Sequence, residues 1–347
     1  MSGDMPDSRL NRAERALQQS FMKSAVFNGL FVGVAVMAVY GLIRPLPDRD
    51  ARPPAQVALR VEPVFLPPSG SPLHLAGAWV LKASDARFGG LSALAIDQGR
   101  FLSVSDRGAV VRFDLPPTSH PTALVQDLLA GPGDFRKKWA RDAESLARDP
   151  SGRGWWVGFE QHHSLWLYDD QFDRALTAID LRQADWGDNR GAEGLLADRT
   201  ALLVTAENGR DAIEAGSGGI ARLDLQAGAE VADAARAPDG SAWLLLRSKG
   251  RHGITQSIAP LQRQGLGYRA GPRWPLPKGA FDNYEGMAIE PLPGVGWRFW
   301  LVTDDGHRVM ARTLLVALDL SRHDKSPATR AGLLQRHSVK RLKRRPT

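Results

Sequence analysis

The chain has 347 residues, including 35 glycines, 23 prolines, 10 tryptophans and no cysteine. That composition is globular and turn-rich, and the lack of cysteine excludes disulfides, thiolate nucleophiles and cysteine-ligated zinc or iron–sulfur centres. The formal charge of +7 is concentrated at one end, where nine Lys or Arg face only Asp324 between Ser321 and Thr347; the remainder is close to neutral, so the body of the chain is not expected to bind nucleic acid.

Residues 1–23 read as a short cytoplasmic tail. Residues 24–43, "SAVFNGLFVGVAVMAVYGLI", are 20 consecutive residues without a charge, bracketed by Lys23 and Arg44. A helix of that length is about 30 Å long, the thickness of a bilayer's hydrocarbon core, and no A-x-A cleavage site follows. The segment is expected to be an uncleaved signal anchor in a bacterial inner membrane, with the large domain in the periplasm; secretion after signal cleavage is the alternative. Four basic residues lie on each side of the span, so charge does not decide the orientation. A proline-rich spacer (44–56) leads into the domain at 57–320, and residues 321–347 form a basic tail read as a solvated terminus.

The domain consists of short β-type runs broken by Gly, Asp, Asn and Pro, with no persuasive helical period. Five segments repeat: "GGLSALAIDQGRFLSVSDRG" (89–108), "DAESLARDPSGRGWWVGFEQ" (142–161), "GAEGLLADRTALLVTAENG" (191–209), "VADAARAPDGSAWLLLRSKG" (231–250) and "NYEGMAIEPLPGVGWRFWLVTDDG" (283–306). Each is a strand, a turn, a second apolar strand and a polar end. Strands ending in Asp-Leu follow three of them, at 110–115, 220–225 and 314–320. A meandering unit repeating at this length predicts an all-β chain folded as a β-propeller, of five or six blades. A sixth blade could be assembled from 57–66, 73–82 and the last strands.

In a propeller blade, the head of the first strand and the end of the second meet at one rim of the axial channel. Glu144 is thereby expected beside Glu160, Glu193 beside Glu207, and Glu285 beside Asp304 and Asp305, while Asp106 ends its strand alone. Like charges this close raise one another's pKa or demand a cation, and oxygen-rich clusters suit hard cations such as Ca²⁺. Glu144, Glu193, Glu285 and Asp106 are the candidate metal ligands; Glu160, Glu207 and Asp304 are further ligands or bases. Arg107, Arg190, Lys249, Arg251 and His307 are candidates for binding an anionic substrate. A glutamate at a strand head can equally lock neighbouring blades through backbone hydrogen bonds. In the fourth unit Ala232 and Asp233 stand where others have Glu, and Arg247–Lys249 replace the second acid; either the ring is open there or an anion enters there.

The motifs "RFGGLSALAI…SVSDRG", "DAESLARDP…WWVGFE", "NRGAEGLLAD…TAENG" and "DNYEGMAIE…LVTDD" resemble those of the bacterial phytase-like family, described as having esterase-like activity of phytase. The resemblance covers roughly residues 70–320 and implies a propeller-like domain, export, and hydrolysis of a phosphate ester. The expected function is therefore a membrane-anchored, metal-dependent hydrolase of a small phosphate or other ester. A non-catalytic ligand- or protein-binding propeller and a lactonase-like enzyme are the alternatives, and the oligomeric state is left open.

Overall fold

Apolar runs of four to eight residues between turn signals fold as strands here, as their pattern predicts. The computed structural model describes residues 50–184, 186, 191–251, 253–293, 296–306 and 311–321. They fall in one compact unit, Asp48–Thr347. The expected membrane segment 24–43 and the basic tail from 322 lie outside the described residues. Among those described, no helix is long and apolar enough to cross a membrane.

Two strands, β1 (Ala55–Pro63) and β2 (His74–Ala83), precede four-stranded antiparallel meanders. The first meander is β3 (Ala95–Asp97), β4 (Arg100–Val104), β5 (Ala109–Asp114) and β6 (Thr122–Asp127). The second is β7 (Ala143–Arg148), β8 (Trp155–Phe159), β9 (Ser164–Tyr168) and β10 (Ala175–Asp180). The third is β11 (Ala192–Ala197), β12 (Ala201–Ala206), β13 (Asp211–Gly216) and β14 (Gly219–Gln226). The fourth is β15 (Glu230–Arg236), β16 (Ala242–Gly250), β17 (Gly253–Gln264) and β18 (Gly267–Ala270), with β19 (Trp274–Pro275) paired to β17. The last comprises β20 (Tyr284–Leu292), β21 (Gly296–Thr303) and β22 (Leu314–Ser321).

The strands at 55–83 do not start a sixth unit. β2 pairs antiparallel with β22 and completes the fifth meander, while β1 pairs with both β2 and β6 and so ties the fifth unit to the first. The segment 220–225, expected as a third strand, is the fourth strand of its unit, because β13 intervenes. "GSGG" (216–219) is the hairpin between β13 and β14, with Gly216 opposite Gly219.

Closure is visible in the core. Successive side chains of a strand face opposite sides of its sheet, so each unit feeds two apolar layers. Trp155 and Val157 join Leu102, Val104 and Val110 between units one and two, while Trp156 joins Leu195, Val204 and Ile213 between units two and three. Leu196 and Leu203 pack on Leu244 and Leu246 between units three and four. Trp243 and Leu245 meet Phe299 and Leu301 between four and five, and Trp300 and Val302 meet Phe101 and Phe113 between five and one. Five layers between five units make a closed, propeller-like ring. The second-strand tryptophans thus serve packing between units.

Polar locks add to these layers. Ser145 Oγ donates to the carbonyl of Ala192 at 2.5 Å. Asp233, 2 % exposed, accepts the Met287 N–H at 2.6 Å and the Ala234 N–H at 2.7 Å. Blade locking is the structural role of this acid. Replacing Asp233 with Ala leaves two buried donors unsatisfied and is expected to cost about 2–4 kcal/mol, read as a lower denaturant midpoint.

Candidate functional site

Four first strands share one irregularity. The register slips by a residue between Ala143 and Ser145, Ala192 and Gly194, Val231 and Asp233, and Tyr284 and Gly286. The extra residue is Glu144, Glu193, Ala232 or Glu285. A bulge removes one residue from the strict alternation and re-aims its side chain. Hence Leu195 and Leu196 can feed two apolar layers while the carboxylate of Glu193 is turned out of both. In the first unit, where Leu91 bridges Ser105, the matching residue is Ser92.

The residues that follow the second strands lie opposite the heads of the first. The N–H of Asp106 donates to Gly90 O at 2.8 Å, that of Glu160 to Asp142 O at 2.9 Å, and that of Asp304 to Asn283 O at 3.0 Å. Arg247 stands opposite Glu230 in the fourth unit. The head position itself is glycine at 90 and 191. A Cβ on Gly191 would lie 2.6 Å from Glu160 Cα, so glycine there admits the backbone of Glu160 toward the axis.

Two internal cations sit among these acids. Arg247 is bound by glutamates from three units: Glu207 at 2.6 Å, Glu230 at 3.0 Å and Glu285 at 2.5 Å. Burial opposes its charge, but Glu285 first, with Glu230, Glu193 and Glu207, raises its pKa further. The basic residue that breaks the repeat therefore fills the ring, which settles the fourth unit differently from an open gap. The other cation is Lys138, in the short 3-10 turn Lys138–Arg141 of the β6–β7 connection. Arg141, 2 % exposed, donates to the carbonyls of Leu128 and Leu129 at 3.0 and 2.7 Å and holds this connection in place. Lys138 Nζ then lies 2.9 Å from Asp106 and 3.7 Å from Asp142.

The rest of the ring is under-compensated. Carboxylate oxygens of Asp142, Glu144 and Glu160 lie within 4.8 Å of one another. Glu193 is only 7 % exposed and has no hydrogen-bond or ion-pair partner among the described residues. Its carboxyl is pushed far above the usual range by burial, then by Glu285, Glu160 and Glu207. Burial, with Asp142 and Glu193 next, does the same to Glu144. Asp142 rises to about 7 through burial, against the pull of Lys138, with Glu160 adding to the rise. Burial and then Glu207 raise Glu160. Glu285 rises to about 7 by burial despite Arg247, and Asp304 to about 6 by burial and Asp106.

Two oxygens among these acids are buried without a partner, Asp106 Oδ1 and Asn283 Oδ1; elsewhere Arg107 Nε and His162 Nε2 are likewise buried and unpaired. Unpaired carboxylate and amide oxygens beside a crowd of acids are the donor set a hard cation requires.

The expected residues are thus partly regrouped. Glu144, Glu160 and Glu193 come together, joined by Asp142, which repeat-matching did not single out although it heads the quoted segment. Glu207 and Glu285 are held by Arg247, and Asp106 by Lys138. Lys249 is 2.9 Å from Glu230, and Arg251 is exposed in the turn after β16. Asn208 caps its own turn, accepting the N–H groups of Arg210 and Asp211. His162 stacks on Trp139 with centroids 5.4 Å apart. Arg190 and His307 lie outside the described residues.

The opposite end of the channel carries no acids but mixes aliphatic side chains with two arginines, Arg148 and Arg236. A cavity of about 270 Å³ there is lined by Leu94–Ile96, Leu146–Arg148, Leu195–Ala197, Ala234–Arg236 and Met287–Ile289 from all five first strands. Fold and site together define an all-β, propeller-like protein with an acidic mouth at one end of its channel.

The chain belongs to the phytase-like family, described by esterase-like activity of phytase, whose sequence profile matches residues 86–307. No curated protein matches it. Among solved structures it is similar to a glutaminyl cyclase from Myxococcus xanthus, at 12 % identity over 72 % of this chain and 96 % of that one, with a TM-score of 0.45. It is also similar to virginiamycin B lyase from Staphylococcus aureus, at 10 % identity over 76 % and 99 %, TM-score 0.40. A third is the Cps50 (Swd1) β-propeller domain from Myceliophteria thermophila, at 11 % over 72 % and 100 %, TM-score 0.36. No activity is carried across from these likenesses.

Proposed function

We propose that the protein is a divalent-cation-dependent hydrolase of a phosphate or other ester, working at the acidic mouth. The observation that carries this reading is Glu193, buried and without a partner among the described residues, beside the Asp142–Glu144–Glu160 cluster. Asp142, Glu144, Glu160 and Glu193 would hold the ion, and their hard oxygens suit Ca²⁺. Such an ion, when bound, polarises an ester oxygen and lowers the pKa of water.

The chain's own groups supply the rest. Asp304, raised to about 6, is poised to accept a proton from water near neutral pH. Arg247 holds the side chains of Glu207 and Glu285 in place, so that half of the ring remains fixed when the other half takes a cation. Arg107, next in the chain to Asp106, has a buried Nε without a hydrogen-bond partner and is the candidate to bind an anionic substrate oxygen.

Replacing Glu193 or Glu144 with Gln tests the reading. Partners one shell out from a metal are worth 10–100-fold, so loss of a ligand should lower metal-dependent ester turnover by more than about 100-fold. Undiminished turnover in both variants would sink it. One observation favours a second, non-catalytic reading: the Arg247 cluster spans three units and staples the ring. A protein that gains no turnover and no thermal stability from any divalent cation supports that alternative.

We also propose that residues 24–43 anchor the chain in a bacterial inner membrane with the domain in the periplasm, for which the 20-residue uncharged run is the support. Sodium carbonate should leave the full chain in the membrane pellet; release into the supernatant argues for cleavage or secretion.

A further inference from the structure

A groove leaves the acidic mouth between the third and fourth units. Its inner part is a cavity of about 790 Å³ lined by Glu207, Asn208, Arg210, Asp211, Glu230 and Lys249, among others. A second cavity, of about 530 Å³, shares Gly209, Arg210 and Gly228 with the first and adds Arg269 and Arg273. The groove therefore begins at the ring's glutamates and becomes basic as it runs outward.

The ring glutamates in it are already paired with cations, while Asp211 is held by a neutral amide and keeps its charge. Arg247 takes up Glu207 and Glu230, Lys249 also bonds Glu230, and Asp211 accepts from Asn208 Nδ2 at 2.6 Å. The three arginines are not neutralised: none forms an ion pair with a carboxylate among the described residues. Arg269 donates to the neutral Gln226 Oε1 at 2.9 and 2.6 Å, and Arg273 to the carbonyl of Ala227 at 2.9 Å. The guanidinium of Arg210 has no hydrogen-bond or ion-pair partner among the described residues.

These positions are built by the backbone. Asn208 Oδ1 shapes the turn that presents Arg210. Gly209 has φ +64°, and a Cβ there would lie 1.9 Å from Ala229 O, so glycine is required for the third unit to close against the fourth. Parallel pairing of β14 with β18 sets Gln226 opposite Arg269 and brings that arginine across from the neighbouring unit.

Three guanidinium groups against the single uncompensated carboxylate of Asp211 leave the groove net positive, a potential that draws anions, and their planar forks match carboxylate or phosphate. We propose that this groove is an anion subsite, holding a second negatively charged group, carboxylate or phosphate, of a ligand whose other end reaches the acidic mouth. It deepens the hydrolase reading and rests on it for that other end.

The test is a titration of the whole protein with tripolyphosphate, and separately with citrate, at low ionic strength with chelator present. Arg210→Gln/Arg269→Gln/Arg273→Gln should weaken anion binding by about tenfold or more. The comparison protein, Arg60→Gln/Arg136→Gln/Arg199→Gln, removes the same charge elsewhere and should bind as the parent does. Arg210→Gln alone, on an exposed turn, gives the same readout if the triple variant melts early. Preference for tripolyphosphate over citrate assigns a phosphate arm, and the reverse a carboxylate arm. Equal binding by parent and groove variants, equal loss in both triple variants, or no binding by the parent would overturn the subsite. Glu193→Gln should leave this chelator-insensitive binding intact. Anion binding that does not depend on the groove arginines, with Glu193-dependent turnover retained, refutes the subsite alone, whereas turnover indifferent to Glu193 refutes the hydrolase reading alone.

Discussion

Arg247→Met is expected to destabilise the protein by about 3–5 kcal/mol at pH 7.5, the range for removing one partner of a buried ion pair. The side chain is 12 % exposed and meets carboxylates of three units that are distant in sequence. Its removal strands Glu207, Glu230 and Glu285 as neighbouring like charges inside the ring, with Lys249 left to offset only Glu230. For a domain of this size the melting temperature should fall by on the order of 10 °C. Acid should relieve the damage. Glu285 titrates at about 7 even beside Arg247; without the cation it will keep its proton to higher pH. The gap between variant and parent should therefore be small at pH 5 and widen as pH rises through neutrality. A variant melting within about 2 °C of the parent at pH 7.5 would mean that the clamp is a solvent-screened surface network.

That clamp was illegible in the sequence for a definite reason. The repeat of strand, turn, strand and polar end is local, so it exposed the strands, the all-β class and the glutamates at 144, 193 and 285. The bulges that aim those glutamates leave the spacing of the apolar residues nearly unchanged, and matched heads and ends sufficed to find them. Partners across units are another matter. Arg247 lies 40 residues from Glu207 and 38 from Glu285, and its substitution into an acidic ring position looks like a gap when read along the chain. Lys138 reaches Asp106 only because Arg141 folds the long β6–β7 connection over the mouth. Asp142 precedes its strand at a place where three other units carry Gly90, Gly191 and Asn283 and only the fourth has an acid, Glu230, so no repeat marked it. The fifth unit shows a narrower limit: that 73–82 joins the last strands was legible, but an apolar run by itself does not reveal that β2 completes the fifth meander rather than helping to build a sixth.

The second large effect concerns the metal-free protein, whose stability should fall as pH rises from about 4 to about 7. Asp142 and Glu285 titrate at about 7 and Asp304 at about 6 in the folded state, against 3.8–4.5 for ordinary carboxyls. Raised folded pKa values mean that the folded protein binds more protons than the unfolded chain within this window. Stability then declines with pH, the slope being proportional to the difference in bound protons. The contribution is complete below about pH 4 and lost once the folded groups have ionised. Acids shifted the other way do not cancel it: Asp180, lowered to about 2 by Arg182, gains and loses its effect below that window. One pKa unit corresponds to about 1.4 kcal/mol, so these buried groups together should cost at least a few kcal/mol between pH 5 and pH 8. A divalent cation should act in the opposite sense. It needs the carboxylates deprotonated, so its stabilisation should be negligible near pH 5 and grow toward pH 8, reaching about 2.7 kcal/mol at a hundredfold excess over its dissociation constant. Melting curves with chelator and with Ca²⁺ should thus diverge as pH rises, and Glu193→Gln should both flatten the chelator curve and narrow the divergence. Chelator-treated protein that becomes more stable between pH 5 and pH 8 would show the ring to be compensated from within, by Arg247 and Lys138 alone, and would leave no deficit of positive charge for a bound cation to fill.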